Sequence, residues 1–368
     1  MPSISVTELS IYQTCPTKHD YIYNQRLAKE GQDYAPMRLG TIYHEIMSHV
    51  LQAGYYKTTP TNHIQQLIDW SARMWDKANR PVKTFEFEGQ TFNDEQFYVK
   101  WDETLETAKL LAELTVDRLD VLNRFTVLDT DSFLPEFRPD GPAVPLVEYK
   151  INYPIEGTDF IFSGVVDAVV IDNLNGHIVV LDWKTKSNFI REDDELMNMQ
   201  VGLYQYALQQ MGLQISRGLV YQIKSSIRRP NLNKPDKNGV AAMSRRIITT
   251  TWGVYEAGLI AANLDPMEYD DIKHVLSENE GDLFLPLNIY RSPSLLTNLW
   301  NQLKIQLSHI IADTGDRAMA LGFSCYSCPF KQLCHYKMEG WSIEELLKDG
   351  FIRLPEREGN ALINNSDT

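Results

Sequence analysis

Three charged residues interrupt strands that are otherwise apolar: Asp167, Asp182 and Lys184, in the stretch G-V-V-D-A-V-V-I-D-N-L-N-G-H-I-V-V-L-D-W-K-T-K from Gly164 to Lys186. The runs Val165–Val170 and Ile178–Leu181 are too continuously apolar for an exposed sheet. With Asn175-Gly176 supplying the positive-φ positions of a turn, the stretch reads as a hairpin of strands Phe160–Ile171 and His177–Lys184. A turn about the 174/175 bond sets Asp167 opposite Asp182, with Cβ atoms about 4.5–5.5 Å apart. Like charges that close repel unless a cation lies between them. Lys184 shares a strand face with Asp182 by the two-residue period. Carboxylates in this arrangement suit a divalent cation such as Mg²⁺, which takes one or two of them plus water and phosphate oxygens. The ammonium beside them would lower the pKa of an attacking water or neutralise charge developing on phosphorus oxygens.

Several elements must position these groups. Ser5 followed by Glu8 reads as a capping box opening a short helix toward Cys15-Pro16. Pro36 starts a second helix whose Leu39, Ile42, Tyr43, Ile46, Met47 and Val50 share one apolar face, with His44 and Glu45 beside it. From about Thr61 to Arg124 the pattern is helical throughout, with one long helix over Gln96–Asn123; no chemistry shows there, and the segment reads as an insertion that caps or clamps the core. Asp129–Pro145 is a connection, and strands resume at Val144–Tyr153, carrying Glu148. A helix near Asp194–Met211 follows the hairpin. Ile215–Ser226 and Ala241–Thr250 read as a further strand pair, followed by helices near Thr251–Asn263 and Pro293–Asp313, an amphipathic Ser342–Lys348 and a frayed tail at Asn360–Thr368. The expected divisions are 1–54, a helical insertion at 55–140, a core at 141–320 and a cysteine-bearing end at 321–368.

With 368 residues and 43% apolar content the chain buries a sizeable core. No apolar run is long enough to span a membrane, and the N-terminus lacks a secretory pattern, so the expected location is the cytoplasm of the producing cell or its host. The net charge of −14 excludes bulk attraction of nucleic acid, leaving local patches. One such patch is Arg217–Arg246, where Arg217, Lys224, Arg228, Arg229, Lys234, Lys237, Arg245 and Arg246 face a single acid, Asp236. It reads either as a solvated face or as a phosphate-tracking ribbon. Tyr12, Tyr21 and Tyr23 suit base stacking or a core equally. The four cysteines, Cys15, Cys325, Cys328 and Cys334, suggest a metal rather than disulfides in a reducing compartment.

Gly164-Val-Val-Asp167 followed by Asp182-Trp-Lys184-Thr185 resembles the signature of the PD-(D/E)xK nuclease superfamily in its RecB-type branch. Gly40-x3-His44 resembles that branch's helical histidine, and Gln200-Val-Gly-Leu-Tyr204 its Gln-x3-Tyr motif. The resemblance runs from Ser5 to about Tyr336. It implies an α/β fold, a mixed central β-sheet flanked by helices in a restriction-endonuclease-like core. It also implies that Asp167, Asp182, His44 and the Trp183 carbonyl hold Mg²⁺ or Mn²⁺, that Lys184 is the catalytic lysine, and that Gln200 and Tyr204 contact DNA or orient the site. Glu148 is an outer ligand or a structural acid. The cysteines resemble the iron–sulfur staple of AddB-type nucleases and CRISPR-associated RecB-like exonucleases, implying a [4Fe–4S] cluster, with zinc as the alternative. The activity so implied is a metal-dependent DNA exonuclease working on ends or single strands in recombination, repair or replication, in a bacterium or phage, with CRISPR spacer processing as a further setting. The competing class is a non-catalytic DNA-binding or scaffolding subunit of a helicase–nuclease complex. The chain has no Gly-Lys dipeptide and hence no P-loop, so any helicase partner would be a separate protein.

Overall fold

A computed structural model describes residues 1–29, 35–58, 63–81, 84–87, 90–233, 242–245, 249–313, 315 and 317–354. In chain order these form β1 (Ser3–Ile4), α1 (Val6–Thr14), α2 (Pro16–His19), a π-helical turn at Asp20–Asn24, and β2 (Leu27–Lys29). The long helix α3 (Ala35–Tyr56) precedes α4 (Ile64–Asn79), the strands β3 (Thr84–Phe87) and β4 (Gln90–Asn93), α5 (Glu95–Leu119) and α6 (Val121–Arg124). Then come β5 (Phe125–Val127), β6 (Val147–Pro154), β7 (Ile161–Asp172) and β8 (His177–Lys186). They are followed by α7 (Glu192–Leu196), α8 (Met199–Gln210), β9 (Ile215–Lys224), α9 (Trp252–Ala261), α10 (Asp270–Asn279) and β10 (Phe284–Ile289). Last are α11 (Pro293–Ala312), α12 (Lys331–Met338), α13 (Glu344–Gly350) and β11 (Phe351–Arg353).

Seven of these strands make one mixed sheet in the order β1-β7-β8-β9-β10, with β5 and β6 also pairing with β7. β8 runs antiparallel to β7 but parallel to β9, and the α7–α8 crossover makes the parallel step possible. Helices therefore cover both faces. On one face Leu39, Ile42, Tyr43, Ile46 and Met47 of α3 pack with α5 residues against Val179, Leu181 and Trp183 of β8. On the other, Val201, Leu203 and Tyr204 of α8 and Trp300 of α11 pack against Phe162, Val166, Val180 and Val220. All six apolar positions assigned to the α3 face are buried.

The hairpin keeps the expected register, with Ala168 opposite Leu181 and Asp172 opposite His177. Its turn is four residues long, closed by Asn175 and Gly176 N–H groups on the Asp172 carbonyl, and of the Asn-Gly pair only Gly176 has positive φ (73°). The region expected to be helical throughout contains an antiparallel hairpin, β3 with β4, in which Phe85 and Phe87 are two residues apart, at strand spacing, and Phe85 stands opposite Phe92. The long helix ends at Leu119, where Asp120 turns left-handed at φ 48°. The helix expected at Asp194–Met211 is two, broken at Met197-Asn198. β9 pairs with β8 and β10, not with Ala241–Thr250, whose described residues make only one bridge, Met243 to Leu232. β10 carries Pro286, which an edge strand tolerates and which hides it from pattern reading. Lys234, Asp236, Lys237, Arg246 and the tail from Asn360 lie outside the described residues.

Candidate active site

The side chains of β7 face α8 at Phe162, Gly164 and Val166, but the opposite face takes Ala168 and Val170. The alternation changes parity at Asp167, and there β8 parts from β7: the ladder ends at Ala168–Leu181. Asp167 Oδ2 closes the gap by accepting the Trp183 N–H at 2.7 Å. On the other flank Val147 pairs with Ala168 and Tyr149 with Val166, so Glu148 lies beside Asp167 across the β6–β7 ladder. Glu148 is left-handed, at φ 48°, a conformation that disfavours any residue with a Cβ. Three acids, Glu148, Asp167 and Asp182, thus stand in a row across three strands.

His44, on α3, reaches the same place, its Nδ1 3.4 Å from Asp167 Oδ2 and 4.0 Å from Glu148 Oε1. Among the described residues, His44, Glu148 and Asp167 bring one ligand atom each within 4.8 Å of one another. Asp182 is 2% exposed; its Oδ1 accepts from Lys184 Nζ at 2.9 Å, while its Oδ2 is buried with no hydrogen-bond partner. An orphaned carboxylate oxygen beside a His–Glu–Asp cluster is the donor set that a hard divalent cation satisfies. Trp183 itself is buried between Tyr43 and Tyr221.

Electrostatics agree with the geometry. Burial, reinforced by the Asp167 charge, pushes the Glu148 carboxyl up to about 7, with His44 pulling the other way. Burial likewise lifts Asp182 to about 6, against the pull of Lys184. For His44, burial opposes the imidazolium, but Asp167, Asp182 and Glu148 together outweigh it and raise the pKa. Lys184 follows the same rule, burial being overcome by Asp182 and Asp167, so its ammonium is kept charged.

Gln200 and Tyr204 come from α8. Asn198 caps this helix through the Gln200 N–H at 2.9 Å, which fixes the first turn over the site. Gln200 Oε1 then accepts from Lys184 Nζ at 3.3 Å. One turn later Tyr204 fills the space over Gly164, where a Cβ would lie 2.4 Å from its Cε1. The α7–α8 break is held by Arg291, which sequence reading missed. It donates to the carbonyls of Glu195 (2.6 Å) and Leu196 (3.1 Å) and to Gln205 Oε1 (2.7 Å). Only its place after an unforeseen strand, β10, makes it reach there.

Other expected contacts dissolve. Arg217 is buried in an ion pair with Asp172 at 2.7 Å and is a core residue, not part of a phosphate ribbon. Lys224 donates to the Ser187 carbonyl, and Arg245 pairs with Asp271. Tyr21 and Tyr23 are buried and offer no face to bases, while the half-buried Tyr12 meets His19 edge-on and donates to Asp313. Glu8 completes only half of a capping box: its N–H binds Ser5, while its carboxylate turns inward to His19 at 3.1 Å.

A family model of the PD-(D/E)XK nuclease superfamily matches residues 3–335. The chain belongs to that superfamily. No curated protein matches it. Nucleases of the PD-(D/E)XK superfamily are metal-dependent, and here Asp167, Asp182 and Lys184 occupy the matched core with an acid and a histidine added from β6 and α3. No helix among the described residues is long and apolar enough to cross a membrane.

Proposed function

We propose that this nuclease is a Mg²⁺- or Mn²⁺-dependent DNA exonuclease that hydrolyses phosphodiester bonds at DNA ends or on single strands. The observation that carries the reading is the row of Glu148, Asp167 and Asp182 with Lys184 and His44 against it. Three carboxylates facing one lysine repel a phosphodiester, and a cation makes the site receptive to it. Asp167, Asp182, His44 and the Trp183 carbonyl are the proposed ligands, and Glu148, within 4.8 Å of His44 and Asp167 by its ligand atom, is proposed beside them. When bound, the cation would supply Lewis-acid activation of the phosphodiester and of the attacking water. Lys184, clamped by Asp182 and Gln200 and kept cationic, suits neutralising charge on the phosphorus oxygens rather than taking a proton. Tyr204 fixes the helix that carries Gln200.

The reading is tested with Asp182→Ala and Lys184→Ala on end-labelled single- and double-stranded DNA with Mg²⁺, under anaerobic handling. Wild type should shorten the label progressively, and each variant should fall by at least about a hundredfold, the scale of one electrostatic contributor. Variants that cut as well as wild type would end the enzymatic reading. A wild type that binds DNA but cuts nothing would favour the scaffolding subunit.

The four cysteines line one cavity of about 230 Å³. The neighbouring thiols and burial push Cys334 up to about 11, burial first. Next to it lies the buried Tyr21 hydroxyl, whose hydrogen bond to Cys334 works against that rise. One cavity lined by all four thiols, with the spacing of the cysteines along the chain, supports a [4Fe–4S] cluster held by Cys15, Cys325, Cys328 and Cys334, with zinc as the alternative. Recombination, repair or replication is the proposed setting, with any helicase as a separate partner.

A further inference from the structure

Beside the catalytic row lies a groove of about 810 Å³ that no motif predicts. Its floor is Thr185, Lys186 and Ser187, the residues directly beyond Lys184 on β8. Leu39 borders it one turn from His44, and α5 of the insertion supplies a wall with Glu103, Thr104 and Thr107. The opposite wall, after β9, carries Arg228 and Arg229. From these placements we infer that the groove is the track by which one strand of DNA reaches the site, its phosphates held by Lys186 and Arg228. The inference rests on the nuclease reading and names the form of substrate.

Charge gives the groove two unlike walls. Among the described residues no ion pair engages Lys186 or Arg228, and Arg228 is exposed. Arg229 instead reaches Glu113 of α5 at 2.8 Å and ties the two walls together. On the α5 side Glu106 is taken by Lys109 at 3.0 Å, leaving Glu103 exposed beside the threonine hydroxyls. A backbone running along Lys186 and Arg228 turns its bases toward acceptors, the Glu103 carboxylate and the Thr104 and Thr107 hydroxyls, whose own protons go to the Lys100 and Glu103 carbonyls. A duplex would press its second backbone against Glu103. The volume is that of a drug-sized ligand, enough for a few nucleotides of single strand. In a protein of net charge −14, two cations that no ion pair engages among the described residues, lining a groove that begins at Thr185 beyond the catalytic lysine, are a local invitation that the bulk field lacks.

The test is equilibrium binding of fluorescein-labelled oligothymidylate, and of a blunt duplex of equal length, to the full chain in EDTA. Oligothymidylate should bind at least about tenfold more tightly than the duplex. Lys186→Ala and Arg228→Ala should each weaken it about five- to tenfold and reduce the slope of log K against log salt by about 0.7. Glu103→Lys should narrow the preference for single strand by strengthening duplex binding. Lys273→Ala, an equal charge change on exposed α10, should alter neither affinity nor slope. The inference falls if the two groove variants behave like Lys273→Ala, or if duplex binds as tightly as single strand. Because binding is read without cleavage, a protein that binds this way but cuts nothing would refute only the nuclease reading. One that cuts while its groove variants bind normally would refute only the groove.

Discussion

Glu148 and Asp182 share a condition: each carboxyl holds its proton far above the range of a free side chain, at about 7 and about 6. His44 is shifted upward too. In the metal-free protein the folded state therefore binds more protons than the unfolded chain from about pH 4 upward, and loses that stabilisation as pH rises through 6 and then 7. A cation needs the same groups deprotonated, so its affinity rises over that window and binding expels protons. Adding Mn²⁺ should raise the melting temperature little at pH 5.5 and clearly at pH 8, and calorimetry in buffers of different ionisation enthalpy at pH 6.5 should show at least about one proton released per ion. An equal thermal shift at both pH values would mean that these carboxyls do not bind the ion. Asp167, Asp182 and Lys184 were legible in the sequence because charges inside apolar strands need a reason. Glu148 was not decidable, since its place depends on a left-handed backbone at a residue that disfavours one and on the register of β6 against β7.

Gly164 shows how an element is placed by what it lacks. A methyl there would meet Tyr204 at 2.4 Å, and Gly202 and Gly218 similarly let α8 settle between α11 and β9. Gly164→Ala should destabilise the protein by about 1–3 kcal/mol by overpacking, and should slow cleavage by lifting Gln200 away from Lys184. Thermal melts of Gly164→Ala in wild-type and Tyr204→Ala backgrounds check the cause: the penalty should shrink when the ring is gone, and full additivity would place the strain elsewhere. The α3 face, the hairpin register and the helical wings were readable from period alone. The β3–β4 hairpin and β10 were not, one sitting between helical patterns and the other carrying a proline that only its edge position excuses. The basic segment misled at Arg217 for a related reason: charge counted along the chain does not tell Arg217, facing inward to Asp172, from Arg228, which stays exposed.

Across the whole molecule the two ends of the described chain meet. Thr17 binds the Ala318 and Arg317 carbonyls, His19 meets Arg317 at 2.9 Å, and β2 pairs with β11. The cysteine cavity sits in this junction. Cross-linking a loop of that length would stabilise by about 5 kcal/mol if nothing else closed it, but the junction's hydrogen bonds already do part of the work. Cys328→Ser should therefore lower the melting temperature by less than that figure implies and weaken DNA binding. Limited proteolysis should cut first around residues 315–354 while the sheet survives, and loss of the whole sheet with the cluster would show that the ends have no stability of their own. The cysteine spacing was visible in the sequence; the hydrogen-bonded seam around it was not, since it joins residues about as far apart as the chain allows. That seam also sets a timetable. At about 5–20 residues per second, Cys15 emerges from the ribosome roughly 15–60 s before Cys325. During that interval it is a solitary thiol, and β1 waits for its partner β7 as well. On the proposed cluster reading, iron can be fully ligated only once Cys334 has been made, long after Cys15.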